Sequence, residues 1–151
     1  MEKIIRFRGK ILKVKKKYHP CKVGEWAYGD LLHAEHDFIK GVDIITDDFS
    51  QVVADENTIG QFTGLKDKNG KDIYEGDIVK TCFSEKPFGI VKWHSECYFY
   101  IDDTMGDASR TATSCSYRPL GEMARERIAG RSLDIEVIGN RWDNPEILLK
   151  K

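Results

Sequence analysis

The sequence predicts a mainly β protein. An SH3-like small barrel with one short helix is expected over residues 57–151, preceded by a small N-terminal β-unit over residues 1–56. Three observations predict it. Apolar residues recur with a period of two in short runs rich in Val, Ile, Tyr and Phe, the pattern of half-buried strands. Glycine-containing turn signals separate the runs, above all Asn69-Gly70 and Glu75-Gly76-Asp77. Helical spacing of apolar residues occurs in a single good stretch. Short, curved strands with one apolar face bury it best by closing on themselves, which favours a barrel in a chain of this size.

The first runs, Ile4 to Phe7 and Ile11 to Val14, flank Gly9-Lys10. Arg6, Arg8, Lys13 and Lys15 alternate with Ile5, Phe7, Leu12 and Val14, so one face is exposed. Lys15-Lys16-Lys17 and Tyr18-His19-Pro20 end the run in a loop. Glu25 to Leu32 reads as a strand, in which Gly29 marks a bulge or a close backbone approach. His33 to Asp37 is a polar turn. Phe38-Ile39 and Val42 to Ile45 make short strands, and Gln51 to Ala54 makes a strand or a connector. Asp55-Glu56-Asn57 marks the domain boundary.

Ile59 and Phe62 are expected to bury against the barrel that follows. Asn69-Gly70 suits a type I′ hairpin turn, with positive φ at both central positions. Ile78 to Phe83, Phe88 to Trp93 and Tyr98 to Ile101 are further strands, and Asp102 to Ser109 is a polar loop. The helix is expected from about Pro119 to Ala129, with Pro119 in its first turn and Gly130 just past its end. Leu120, Met123, Ala124, Arg127 and Ile128 form its apolar face. Leu133 to Ile138 is the last strand, and Asn144-Pro145 starts a tail.

The central stretch carries a resemblance. Gly60-Gln-Phe-Thr-Gly-Leu-Lys-Asp-Lys-Asn-Gly-Lys71 followed by Ile73-Tyr-Glu-Gly-Asp-Ile-Val79 resembles the signature of the YopX family, small proteins encoded by bacteriophages and prophages. Phe7-Arg8-Gly9-Lys10 with Gly24 to Leu31, and Ile135 to Asn140 with Asn144-Pro145-Glu146, agree with it. The resemblance implies a phage origin and a fold. It brings no established activity and no catalytic residues.

Composition bounds the function. The chain has 151 residues, 40% hydrophobic and 32% charged, with a net charge of −1. That is a globular composition with no global pull toward nucleic acid or an anionic membrane. The charge is uneven: Met1–Gly24 holds nine Lys/Arg and one acid, and Glu25–Asn57 nine acids and one Lys. Two neighbouring β-hairpins that neutralise each other explain this, within a subunit or across an interface; a basic patch for an anionic partner is the sharper alternative. No apolar run approaches the ~18 residues of a membrane helix, and the first ten residues lack the apolar core of a signal peptide. A cytoplasmic protein with reduced Cys21, Cys82, Cys97 and Cys115, and no membrane partner, is expected.

Candidate chemistry is sparse. His33-x-x-His36 and His94-x-x-Cys97 have spacings that a metal site can use, but zinc needs four converging ligands; a polar turn and small core cysteines account for them. No metal and no cofactor is expected. Asp102, Asp103 and Asp107 fall in an exposed loop, without the burial that raises a carboxyl pKa for acid–base work. No phosphate loop and no nucleophile elbow is present. Phe83, Trp93, Tyr98 and Tyr100 interleaved with Lys80, Lys86 and Lys92 could stack on single-stranded nucleic acid, against the repulsion of Asp102 and Asp103. Lys13, Lys15, Lys16 and Lys17 could contact phosphates. The expected function is therefore a non-enzymatic binding or assembly module acting through protein–protein contacts. A homo-oligomer or a complex with a host or phage protein is expected. The alternative is a nucleic-acid-binding accessory protein. Lys13, Lys15, Lys16, Lys17, Lys80, Lys92 and Trp93 are the candidate contact residues for either.

Overall fold

The computed structural model describes residues 4–15, 20–33, 41–81, 89–96, 98–102, 117–120 and 135–149. The chain is mainly β and divides into two compact units, Met1–Phe62 and Thr63–Lys151; the sequence placed the division after residue 56.

The first unit contains β1 (Phe7–Val14), β2 (Trp26–Leu32), β3 (Gly41–Thr46) and β4 (Gln51–Asp55), then a 3₁₀ turn (Glu56–Thr58) and the start of β5 (Gly60–Lys66). All pairings are antiparallel. β1 pairs with β2, β2 with β3, β3 with β4, and β4 returns to β1. The four strands thus close into a small barrel. Closure depends on β1 being long enough to serve two neighbours: Phe7 to Lys10 face β2, and Ile11 to Val14 face β4 across a bulge. A bulge bends its strand and raises its twist, which a ring of only four strands needs.

Inside lie Ile11, Ala27, Ile44, Val52 and Ala54, with Val14, Cys21, Leu31 and Ile59 packed against them. Each fully buried Ile or Val contributes roughly 1.5–3 kcal/mol relative to exposure. Gly9 sits within this core. A Cβ there would lie 2.7 Å from Ile59 Cδ1 and 2.8 Å from Ala54 Cβ, so Gly9-Lys10 continues one strand where the sequence suggested a break between two. Gly29 makes the close backbone approach expected of it, since a Cβ would overlap the Ile45 carbonyl oxygen.

The second unit holds the rest of β5, β6 (Asp72–Tyr74), β7 (Asp77–Thr81), β8 (Gly89–His94), β9 (Tyr98–Asp102), β10 (Tyr117–Pro119), β11 (Ile135–Asn140) and α1 (Pro145–Leu149). Five strands form an antiparallel sheet in the order β10-β9-β8-β7-β11, and β6 lies beside β5. Among the described residues, ring closure is found in β1–β4, and the pairings after residue 57 leave this five-stranded order open. Ile73, Val79, Val91, Ile101, Leu120 and Val137 form its core, with Leu65, Phe99 and Ile135 against them. The helix expected from Pro119 to Ala129 falls outside the described residues except at its start, where Pro119 ends β10 and Leu120 is buried. The expected strand at Phe38-Ile39 also falls outside them. The segment expected to be a tail forms α1, because Asn144-Pro145-Glu146 is a helix-start pattern with Pro in the first turn.

The turn at Asn69-Gly70 differs from the expected type I′. Only Gly70 has positive φ, at 81°. Asp67 N–H donates to the Lys71 carbonyl at 2.8 Å, and Gly70 N–H to the Asp67 carbonyl at 3.0 Å. This is a three-residue loop whose glycine occupies the left-handed position. The Asp67 carboxylate selects it by accepting from the N–H groups of Asn69 at 2.8 Å and Lys71 at 2.9 Å. Its second oxygen accepts from Val137 N–H at 3.1 Å, tying the turn to β11.

Candidate binding surfaces

In an antiparallel pair, residues directly opposite share a face and successive residues alternate. On β8 and β9, Lys92 faces Tyr100, Trp93 faces Phe99, and His94 faces Tyr98. Lys92, His94, Tyr98 and Tyr100 therefore line one face, together with Lys80 from β7, which lies opposite Glu136. Trp93 lies on the other face with Phe99, Val91 and Ile101. It is 44% exposed, at the end of the core, with its ring edge-on to Phe99 at 4.7 Å. The fold thus puts Lys80 and Lys92 on one face, four strand positions apart by register, and sends Trp93 to the opposite side.

The face with the lysines is ringed and neutralised. His94 stacks on Tyr98 at 4.6 Å, and Tyr100 meets His94 edge-on at 5.6 Å. His94 Nδ1 accepts from Glu96 N–H at 3.2 Å, which places any imidazole proton on Nε2. Lys92 is ion-paired with Asp102, which is buried at the end of β9 and not in the exposed loop the sequence suggested. Asp103 and Asp107 fall outside the described residues. Glu136 receives Lys68 Nζ at 2.7 Å and Lys80 Nζ at 3.8 Å. Its carboxyl is held below the usual range, first by the Lys68 hydrogen bond and then by the charges of Lys68 and Lys80, against the opposing effects of burial and Asp67.

In the first unit, Lys13 is exposed on β1. Lys15 Nζ contacts Asp43 Oδ2 at 2.8 Å, and that fully buried carboxylate also accepts from the Gln51 amide. Lys16 and Lys17 fall outside the described residues. A second cationic group was not foreseen. Arg8 lies 4.8 Å from the centre of the Trp26 ring and Lys10 Nζ 5.7 Å from it, on the face that Arg8 and Lys10 share with Tyr28 and Trp26, although Arg8 itself is buried. Alternation of Arg8 and Lys10 across Gly9 and of Trp26 and Tyr28 across Ala27 was the available signal.

The Cys21 thiol is raised by partial burial, then by Glu25 and Asp48, so it is a poor nucleophile near neutral pH. Among the described residues no cluster of three His, Cys, Asp or Glu is placed to hold a metal ion; His36 and Cys97 fall outside them. No described helix is long and apolar enough to cross a membrane.

Sequence reasoning also missed Phe49. It stands at the tip of the β3–β4 hairpin, 87% exposed, with φ at 60°. Thr46 N–H donates to the Ser50 carbonyl at 2.9 Å, and Phe49 N–H to the Thr46 carbonyl at 2.8 Å. This repeats the hydrogen bonding of the Asp67–Lys71 turn, with Phe49 standing where Gly70 stands.

Comparison with known proteins follows the same signature. A search of curated proteins found no match. Among solved structures, the chain is similar to the crystal structure of protein EF1440 from Enterococcus faecalis, at 23% identity and a TM-score of 0.48, over 96% of this chain and 98% of that one. The family model described as YopX protein matches residues 20–149, nearly the whole sequence and all of its glycine-punctuated centre, and the chain belongs to the YopX family.

Proposed function

We propose that this protein is a non-enzymatic binding or assembly module of phage or prophage origin. It acts through protein–protein contacts in the bacterial cytoplasm, by self-association or on a host or phage protein. The observation that carries this reading is the pairing of the lysines. Lys15, Lys80 and Lys92 each lie against a carboxylate of the same chain, which lowers the gain from meeting phosphates. Large apolar side chains stand exposed instead, Phe49 and Trp93 among them, and exposed aromatics favour protein contacts. Sedimentation over a range of protein concentrations, with and without cell extract depleted of nucleic acid, tests the reading. Association that survives nuclease treatment and moderate salt is expected.

The second reading, a nucleic-acid-binding accessory protein, draws on His94, Tyr98 and Tyr100, whose rings share a face with Lys80 and Lys92. Single strands could stack there. Retention of labelled DNA or RNA that falls steeply with salt, alongside a protein that never associates with itself or another protein, would replace the first reading by the second.

A further inference from the structure

From the Asp67–Lys71 turn we infer that Asn69 is a site of self-modification, which cyclises onto Gly70 when the turn opens and is shielded while the turn is closed. The inference goes beyond the module reading and does not depend on it. Asparagine is chemically labile, and a glycine after it removes the Cβ that would screen the next backbone nitrogen. Asn69 is exposed in the turn, and nothing lies within 4 Å of a Cβ built on Gly70. Water and space for the reaction are therefore present. The Gly70 nitrogen attacks Asn69 Cγ, and its proton leaves with the side-chain amide as ammonia. Water then opens the five-membered imide at either carbonyl, giving aspartate or isoaspartate at position 69.

The closed turn works against the first step. Gly70 N–H donates to the Asp67 carbonyl at 3.0 Å, so the attacking nitrogen is engaged and its direction fixed. The Asp67 carboxylate holds the N–H groups on both sides, Asn69 at 2.8 Å and Lys71 at 2.9 Å. Two further bonds anchor the turn to β11: Val137 N–H to Asp67 Oδ2 at 3.1 Å, and Lys68 N–H to the Ile135 carbonyl at 2.9 Å. Turning the Gly70 nitrogen toward Asn69 Cγ breaks the first of these bonds and disturbs the others. The reaction therefore waits for a local opening.

Peptide mapping by mass spectrometry tests this on the full chain, incubated in mildly alkaline buffer with and without denaturant. Asn69 is expected to deamidate about tenfold or more faster in the unfolded chain, since several hydrogen bonds no longer have to open. Without denaturant, Asp67→Ala is expected to react severalfold faster than wild type. Gly76→Ala is the control for global unfolding, because it loses stability outside the turn, at Trp142; it is expected to react as slowly as wild type. No reaction at Asn69 in denaturant would overturn the site, and equal rates in folded and unfolded wild type would overturn the shielding. Rates that follow overall stability, with Gly76→Ala accelerated as much as Asp67→Ala, would overturn the role of the turn. Should Asp67→Ala not fold, wild type and Gly76→Ala decide alone: equal folded rates despite unequal melting temperatures support the turn as the gate, and rates that scale with stability overturn it.

Discussion

Asp67 shows how the central signature works at the level of one side chain. One carboxylate accepts from three backbone N–H groups, two inside its own turn and one on β11. Asp77 does similar work next door, accepting from Tyr74 N–H at 2.8 Å and shaping the turn between β6 and β7. Both acids are almost fully buried, so their place in the sequence motif is explained by structure. Asp67→Ala would leave Val137 N–H without an acceptor, and an orphaned buried donor costs roughly 1–3 kcal/mol. A loss of about that size in urea unfolding is expected, with a smaller one for Asp67→Asn, whose amide oxygen can still accept. The glycines divide by surroundings. At Gly70 nothing lies within 4 Å of an added Cβ, so Gly70→Ala carries only the left-handed penalty of roughly 1–2 kcal/mol. At Gly76, with φ at 85°, the Cβ would also overlap the Trp142 ring. Gly76→Ala is therefore expected to lower the denaturant midpoint more than Gly70→Ala does.

Among elements, β7 and β11 show how charge is arranged across a ladder. Glu136 on β11 faces Lys80 on β7 and also takes the hydrogen bond of Lys68. A carboxyl whose folded pKa is lowered stabilises the fold fully above its unfolded pKa and loses that contribution as pH falls through the lower, folded value. Glu136→Gln is therefore expected to reduce stability at neutral pH and to flatten the acid limb of a stability–pH curve. The effect should shrink at high salt, because the pair is partly exposed. Most strands were legible, since β-branched and aromatic residues at period two directly reflect a half-buried face. Turn geometry was less legible. Asn69-Gly70 alone favours a two-residue loop, and the longer loop wins because Asp67 holds the N–H groups on both sides of Gly70. Helix α1 was legible in retrospect from Asn144-Pro145-Glu146. The partners of Lys15, Lys80 and Lys92 were not, because they depend on which strands pair and in what register.

For the whole molecule, the feature the sequence did not reveal is the closed ring of β1–β4. The sequence reads Ile4 to Phe7 and Ile11 to Val14 as two short runs on either side of Gly9-Lys10. In fact Gly9 lets Ile44, Ala54 and Ile59 approach the backbone, and the unbroken strand serves β2 and β4 in turn. The opposed charge blocks of residues 1–24 and 25–57 make sense within that ring. Arg6 meets Asp47 and Lys15 meets Asp43, each a basic group of the first block on an acid of the second. Lys15→Glu decides whether that pairing or a phosphate contact is the main role of the basic run. Asp43 is fully buried, and removing the partner of a buried charge costs roughly 3–5 kcal/mol. The upper part of that range is not expected, because Gln51 still donates to Asp43 and Lys15 itself is partly exposed. A drop in unfolding free energy of about 2–4 kcal/mol is expected on that basis. Lys13→Glu, at an exposed position, should stay within roughly 0.5 kcal/mol of wild type. If the two substitutions instead left stability alike and both abolished retention of labelled nucleic acid, the basic run would be a phosphate-binding surface, and the balance of charge inside the ring would be incidental.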